Sequence, residues 1–148
     1  MPYAARILVP TDFSPLSTLA LEHAIALGSL CRASIHLIHV RADASGHVDG
    51  DERRLAELVS RCHAEALAVT SQVCVGPPAA AIVKAAADRA VDLIVLGTHG
   101  RQGVAHLMLG SVAEQVVRSA PCPVLTVRGH VPERVQQPAE AAWGLQPG

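Results

Sequence analysis

At 148 residues, half of them hydrophobic and 17% charged, the chain has the length of one domain and is too apolar for wholesale disorder. Twelve Lys and Arg against thirteen Asp and Glu give a net charge of −1, so no basic surplus exists to neutralise a nucleic-acid backbone, and one Phe, one Tyr and one Trp are too few to stack bases. The run nearest to a membrane span, Ala79 to Ala87, is interrupted by Lys84 and falls far short of the roughly 20 residues required, so a soluble protein with neither nucleic acid nor membrane as partner is predicted.

Residues 5–10, with Ile7-Leu8-Val9 at their centre, read as a strand buried on both faces. With no charged leader or apolar segment ahead of it, a cytoplasmic location is expected. Ser14-Pro15 is a cap and first-turn pair, and Leu16, Leu19, Ala20, His23, Ala24 and Leu27 recur at helical spacing, which predicts a helix over 15–31. Residues 33–40 form a second strand and 41–51, polar with two glycines, a loop. Leu55, Leu58, Val59, Cys62 and Ala66 then mark an amphipathic helix over 53–67. A strand over 69–75 is broken by Gly76-Pro77-Pro78, and an Ala-rich helix covers 79–90. Residues 92–97 make a fourth strand, 111–120 a fourth helix stopped by Pro121-Cys122-Pro123, and 124–128 a fifth strand.

Strands alternating with helices imply right-handed crossovers and an open parallel α/β sheet with helices on both faces, a Rossmann-like domain over 1–128. Residues 129–148 hold three prolines and three glycines without sustained periodicity and are expected to be a mobile tail. The four cysteines are scattered, with no metal-ligand spacing, and read as reduced, mostly buried hydrophobes. His36 and His39 fall on opposite faces of one strand and cannot share a metal, and His39 reads as packing.

Ligands of such sheets collect beyond the carboxyl ends of the strands, which selects Pro10 to Ser14, Val40-Arg41 and Gly97 to Ser111. The third segment spaces its glycines as Gly97-x2-Gly100-x9-Gly110-Ser111 and opens a helix. Glycine lets main chain approach an anion closely, and a helix amino end offers N–H groups and partial positive charge, so the segment reads as a phosphate cradle. Ser111 has an alternative role as the cap of its own helix, bonded to the Glu114 N–H in a capping box. Asp12 likewise has an alternative as a turn acceptor ahead of Ser14. No P-loop, no dinucleotide fingerprint and no G-x-S-x-G elbow is present, and Lys84 is the only lysine.

The glycine spacing, Thr11-Asp12-Phe13-Ser14 after the first strand and Pro121-Cys122-Pro123-Val124-Leu125-Thr126-Val127 at the end together resemble the universal stress protein family over residues 5–128. The resemblance implies strand order 3-2-1-4-5 and binding of ATP, alone or with Mg²⁺. It places Pro10, Thr11 and Asp12 along the adenine and ribose, with the Val40 backbone at the adenine edge. Gly97, Gly100, Gly110 and Ser111 are placed on the phosphates, with Arg101 a further candidate for charge-assisted bonds and His99 a weaker one. It also implies a homodimer formed through the apolar edge strand 124–128.

Three functional readings follow. The first is a stress or signalling module acting by nucleotide-dependent conformation or partner binding. The second is a slow ATPase or self-phosphorylating protein using Ser111 or Thr98, and the third is a dimeric interaction protein indifferent to nucleotides. The first is preferred, because the loop offers Arg101 but no lysine and no evident general base for phosphoryl transfer.

Overall fold

The computed structural model describes residues 5–46, 48–98 and 110–129. Five strands, β1 (Arg6–Pro10), β2 (Ser34–Arg41), β3 (Val69–Val75), β4 (Leu93–Gly97) and β5 (Val124–Val127), alternate with α1 (Pro15–Cys31), α2 (Val48–Ala64), α3 (Pro78–Asp88) and α4 (Ser111–Ser119). The strands are parallel and ordered β3-β2-β1-β4-β5, as the family resemblance implied.

Period-two alternation divides the sheet between two cores. Ile7, Val9, Ile35, Leu37 and Val95 pack with Ala20, Leu21, Ala24 and Ile25 of α1 and Leu55 and Cys62 of α2. Leu8, Ile38, Ile94 and Leu96 face the other way, against Ala79, Ile82 and Ala86 of α3 and Ala113 and Val116 of α4. Because both faces are covered, the inner strands are continuous apolar runs. β3, at an edge, carries Thr70, Ser71 and Gln72 instead.

Local chemistry fixes the element ends. The Ser14 side chain accepts the Ser17 N–H at 3.2 Å and Pro15 opens α1, as the sequence predicts. α2 starts at Val48, five residues before the predicted start, because Asp49 and Asp51 suit the positive end of a helix even with Gly50 between them. α2 and α3 both end in paired reverse bonds. Leu67 and Ala66 N–H groups reach the Cys62 and His63 carbonyls, and those of Val91 and Ala90 reach the Ala86 and Ala87 carbonyls. Ala66 and Ala90 take the left-handed position, φ 60° and 50°, where glycine is usual. Among the described cysteines none is disulfide-bonded, and only Cys62 is fully buried, fewer than expected.

Candidate functional site

β1 is central, and the chain leaves its carboxyl end for α1 on one face while β4 leads on towards α4 on the other, so the two strand ends flank the switch point where sheets of this kind form their crevice. The Thr11 N–H donates to the Ile38 carbonyl at 2.8 Å, which locks the exit of β1 beside β2. Thr11 Oγ1 accepts the Phe13 N–H at 3.0 Å and shares a proton with Ser17 Oγ at 3.1 Å. The Thr11 carbonyl lies 2.8 Å from His39 Nδ1. Each polar group of Thr11 is thus engaged inside the protein, and the residue is 5% exposed. Asp12 Oδ1 accepts the Ser14 N–H at 3.0 Å, the turn role foreseen as its alternative, and its carboxylate stays half-buried at the rim. Phe13 sits at φ 64°, an uncommon conformation for an aromatic residue.

Across the crevice, the Thr98 N–H donates to the Val127 carbonyl, and the Thr98 carbonyl accepts the Gly110 N–H. This pair of bonds ties the end of β4 to both β5 and the start of α4. The Thr98 hydroxyl is buried, with the residue 2% exposed, and has no hydrogen-bond partner among the described residues. Gly97 has a packing reason to lack a side chain, since a Cβ there would lie 2.8 Å from Leu16 Cγ and 3.3 Å from the Leu16 carbonyl oxygen.

The capping-box expectation for Ser111 is corrected. Gly110 is the N-cap, no side chain caps the helix, and the Glu114 N–H goes to the Gly110 carbonyl at 2.9 Å. Ser111 is instead the exposed first residue of α4, and its N–H, with those of Val112 and Ala113, precedes the first intrahelical bond. Glu114 pairs with Arg118 at 2.9 Å, one turn further on, which directs its carboxylate away from the amino end.

Pro10, Thr11, Asp12, Val40, Gly97, Thr98, Gly110 and Ser111 therefore gather at one end of the molecule, on the ends of β1, β2 and β4 and the start of α4. Gly100, Arg101 and His99 lie outside the described residues, as does the tail from 130 onward. Among the described residues, no three His, Cys, Asp or Glu side chains gather as a metal site. A separate open cleft of about 410 Å³, lined by Arg6, Ser34, His36, Thr70 and Arg89, lies at the amino ends of β1, β2 and β3, away from the crevice.

Sequence reasoning left out the group behind the Thr11 turn. His39 Nε2 is 3.5 Å and Arg41 Nε 3.3 Å from Asp51 Oδ2, and the Phe13 ring packs on the His39 ring with centroids 4.4 Å apart. His39 was visible only as packing, and Asp51 lay in a segment read as loop.

The fold defines an open, doubly wound α/β protein whose topological switch point lies between β1 and β4. More particularly, the chain belongs to the universal stress protein family, whose profile matches residues 4–128. It is 35% identical over 139 residues to universal stress protein MJ0531 of Methanocaldococcus jannaschii, covering 83% of this chain and 81% of that one. The solved structure of protein MJ0577 of the same organism superimposes with a TM-score of 0.82 at 28% identity, over 89% of this chain and 100% of that one. A universal stress protein crystallised in complex with cAMP matches with a TM-score of 0.69 at 27% identity, over 84% of this chain and 96% of that one.

Proposed function

We propose that the chain binds an adenine nucleotide, ATP, across this crevice and serves as a stress-response or signalling module whose conformation or partner surface depends on the bound nucleotide. The observation that carries the reading is the meeting, at one end of the sheet, of the first-turn N–H groups of α4 and the Thr98 hydroxyl, buried and without a hydrogen-bond partner among the described residues, with the Asp12 rim. A helix amino end favours an anion, and a buried hydroxyl without a partner is a cost that a phosphate oxygen relieves. Asp12 then accepts from ribose hydroxyls while also holding Ser14, since a carboxylate has room for several donors. Thr11 shapes the rim, Pro10 and the Val40 backbone border the adenine, and Gly97, Gly100, Arg101, Gly110 and Ser111 border the phosphates. Mg²⁺, where it accompanies ATP, is carried on phosphate oxygens. The cAMP complex of a relative at 27% identity supports an adenine ligand of this kind.

Calorimetry with ATP and native mass spectrometry of the purified protein test the reading. Gly110 has φ −63° and ψ 156°, a conformation open to valine, so Gly110→Val is expected to fold while losing at least about tenfold in ATP affinity through the branched side chain at the helix mouth. A wild-type chain that neither carries nucleotide nor gives heat with ATP overturns it. Phosphate released in a single turnover and lost in Ser111→Ala moves the reading to a slow ATPase.

A further inference from the structure

His39 lies on β2 at 8% exposure, behind the rim rather than on it. Its Nδ1 is 2.8 Å from the Thr11 carbonyl oxygen, and since a carbonyl only accepts, Nδ1 carries a proton. Its Nε2 faces the Asp51 carboxylate of α2 at 3.5 Å, a contact that attracts when Nε2 carries a proton as well. Asp51 is also held by Arg41 Nε at 3.3 Å. The Phe13 ring packs at 4.4 Å and 39° on the same imidazole, and Arg54 of α2 stands over the Phe13 ring at 5.4 Å. Thus His39 of β2 and Arg54 of α2 reach the Thr11-Asp12-Phe13 turn, whose last residue is held at a left-handed φ, and Asp51 of α2 stands behind His39. Such a conformation persists only where the surroundings over-determine it.

We propose that His39 and Asp51 are positioning residues for the nucleotide: His39 fixes the Thr11 carbonyl and the Phe13 ring, Asp51 fixes His39, and the Thr11-Asp12-Phe13 turn is thereby held in the shape that receives the adenosine half of the ligand. The proposal rests on the nucleotide reading of the crevice. His39 touches the turn and not the ligand, so its effect passes through the Asp12 rim.

The test compares His39→Phe, His39→Asn and Asp51→Asn with wild type, using ATP calorimetry and, without nucleotide, hydrogen exchange at the Phe13 and Ser14 amides. An asparagine amide can place an N–H where Nδ1 stood, whereas phenylalanine fills the space without a donor. Both His39 variants are expected to melt earlier, because each disturbs a buried site. Only His39→Phe is expected to lose about tenfold in ATP affinity and to exchange faster at Phe13 and Ser14, with a loss of about threefold in Asp51→Asn. ATP binding by His39→Phe at wild-type strength, or an equal loss in His39→Asn, overturns the proposal alone. A wild-type chain that takes no ATP overturns the proposed function and this proposal with it. Should His39→Phe fail to fold, Asp51→Asn decides: unchanged affinity and unchanged exchange there overturn the proposal.

Discussion

His36 shows how one buried side chain sets a pH response. It lies on β2 in the cleft at the amino ends of the strands, 5% exposed, with Nδ1 2.6 Å from Thr70 Oγ1 and Nε2 2.7 Å from Gln72 Oε1. The amide oxygen only accepts, so Nε2 carries the proton, the Thr70 hydroxyl donates to Nδ1, and the neutral ring is fully satisfied. Burial pushes its pKa below the ordinary 6.5; the Gln72 side-chain bond opposes this, the Arg89 charge adds to it and the Thr70 backbone opposes it. The folded state therefore resists a proton that the unfolded chain accepts. Its contribution to stability is whole above about pH 6.5 and is lost as pH falls through that value towards the lower folded pKa. Urea unfolding between about pH 7.5 and about pH 5 is expected to show a falling midpoint in wild type and a shallower fall in His36→Gln. An equal slope in both would assign the acid sensitivity to other groups.

At the level of the elements, the two helix ends closed by alanine make a second prediction. Ala66 and Ala90 stand at φ 60° and 50°, with Leu67 and Val91 buried just beyond them against Cys62 and Ala86, the hydrophobic contact that accompanies this kind of termination. The left-handed conformation costs a residue with a Cβ about 1–2 kcal/mol, and glycine's extra freedom in the unfolded chain returns roughly half of that. Ala66→Gly and Ala90→Gly are each expected to raise stability by about 0.5 kcal/mol, read from denaturant midpoints. The same residues explain what was legible in the sequence. Apolar runs beside Pro or Gly locate β1, β4 and β5, β-branched content locates β2 and the break at Gly76 locates the end of β3, and Ser14-Pro15 locates α1 to the residue. The ends of α2 and α3 escaped because their terminating residues are alanines, which read as helix continuing. The start of α2 escaped because Gly50 reads as loop, although Asp49 and Asp51 beside it are the acidic pair that a helix amino end favours. At α4, Ser-x-x-Glu matched a capping pattern, but Gly110 already supplied the cap.

For the whole molecule, β5 remains an edge. It is four residues long, pairs with β4 alone among the described residues, and shows Leu125 at 39% exposure. An apolar edge with unpaired main-chain groups invites a second copy, and we propose a homodimer joined by antiparallel β5 pairing across a two-fold axis. Light scattering on the eluting protein is expected to give twice the chain mass for wild type and a single mass for Leu125→Lys, a charge of the kind that blunts exposed edges. A monomeric wild type would refute it. The gathering of the candidate site was legible because strand ends and glycine spacing are local signals. The His39–Asp51 support was not, because its partners are twelve residues apart in the chain and meet only once α2 lies over β2.

α4 buries two of its nine residues, Ala113 and Val116, whereas α1 buries six of seventeen along a far longer seam. The helix whose amino terminus we propose for the phosphates is therefore the more lightly moored of the two. Besides Ala113 and Val116 in the core, it is held at its leading end by the Gly110 N–H on the Thr98 carbonyl, so a ligand gripping that end would add to a short list of anchors. Occupancy would be recorded as a tightening of this one short helix, beside the strand edge where a second subunit would sit.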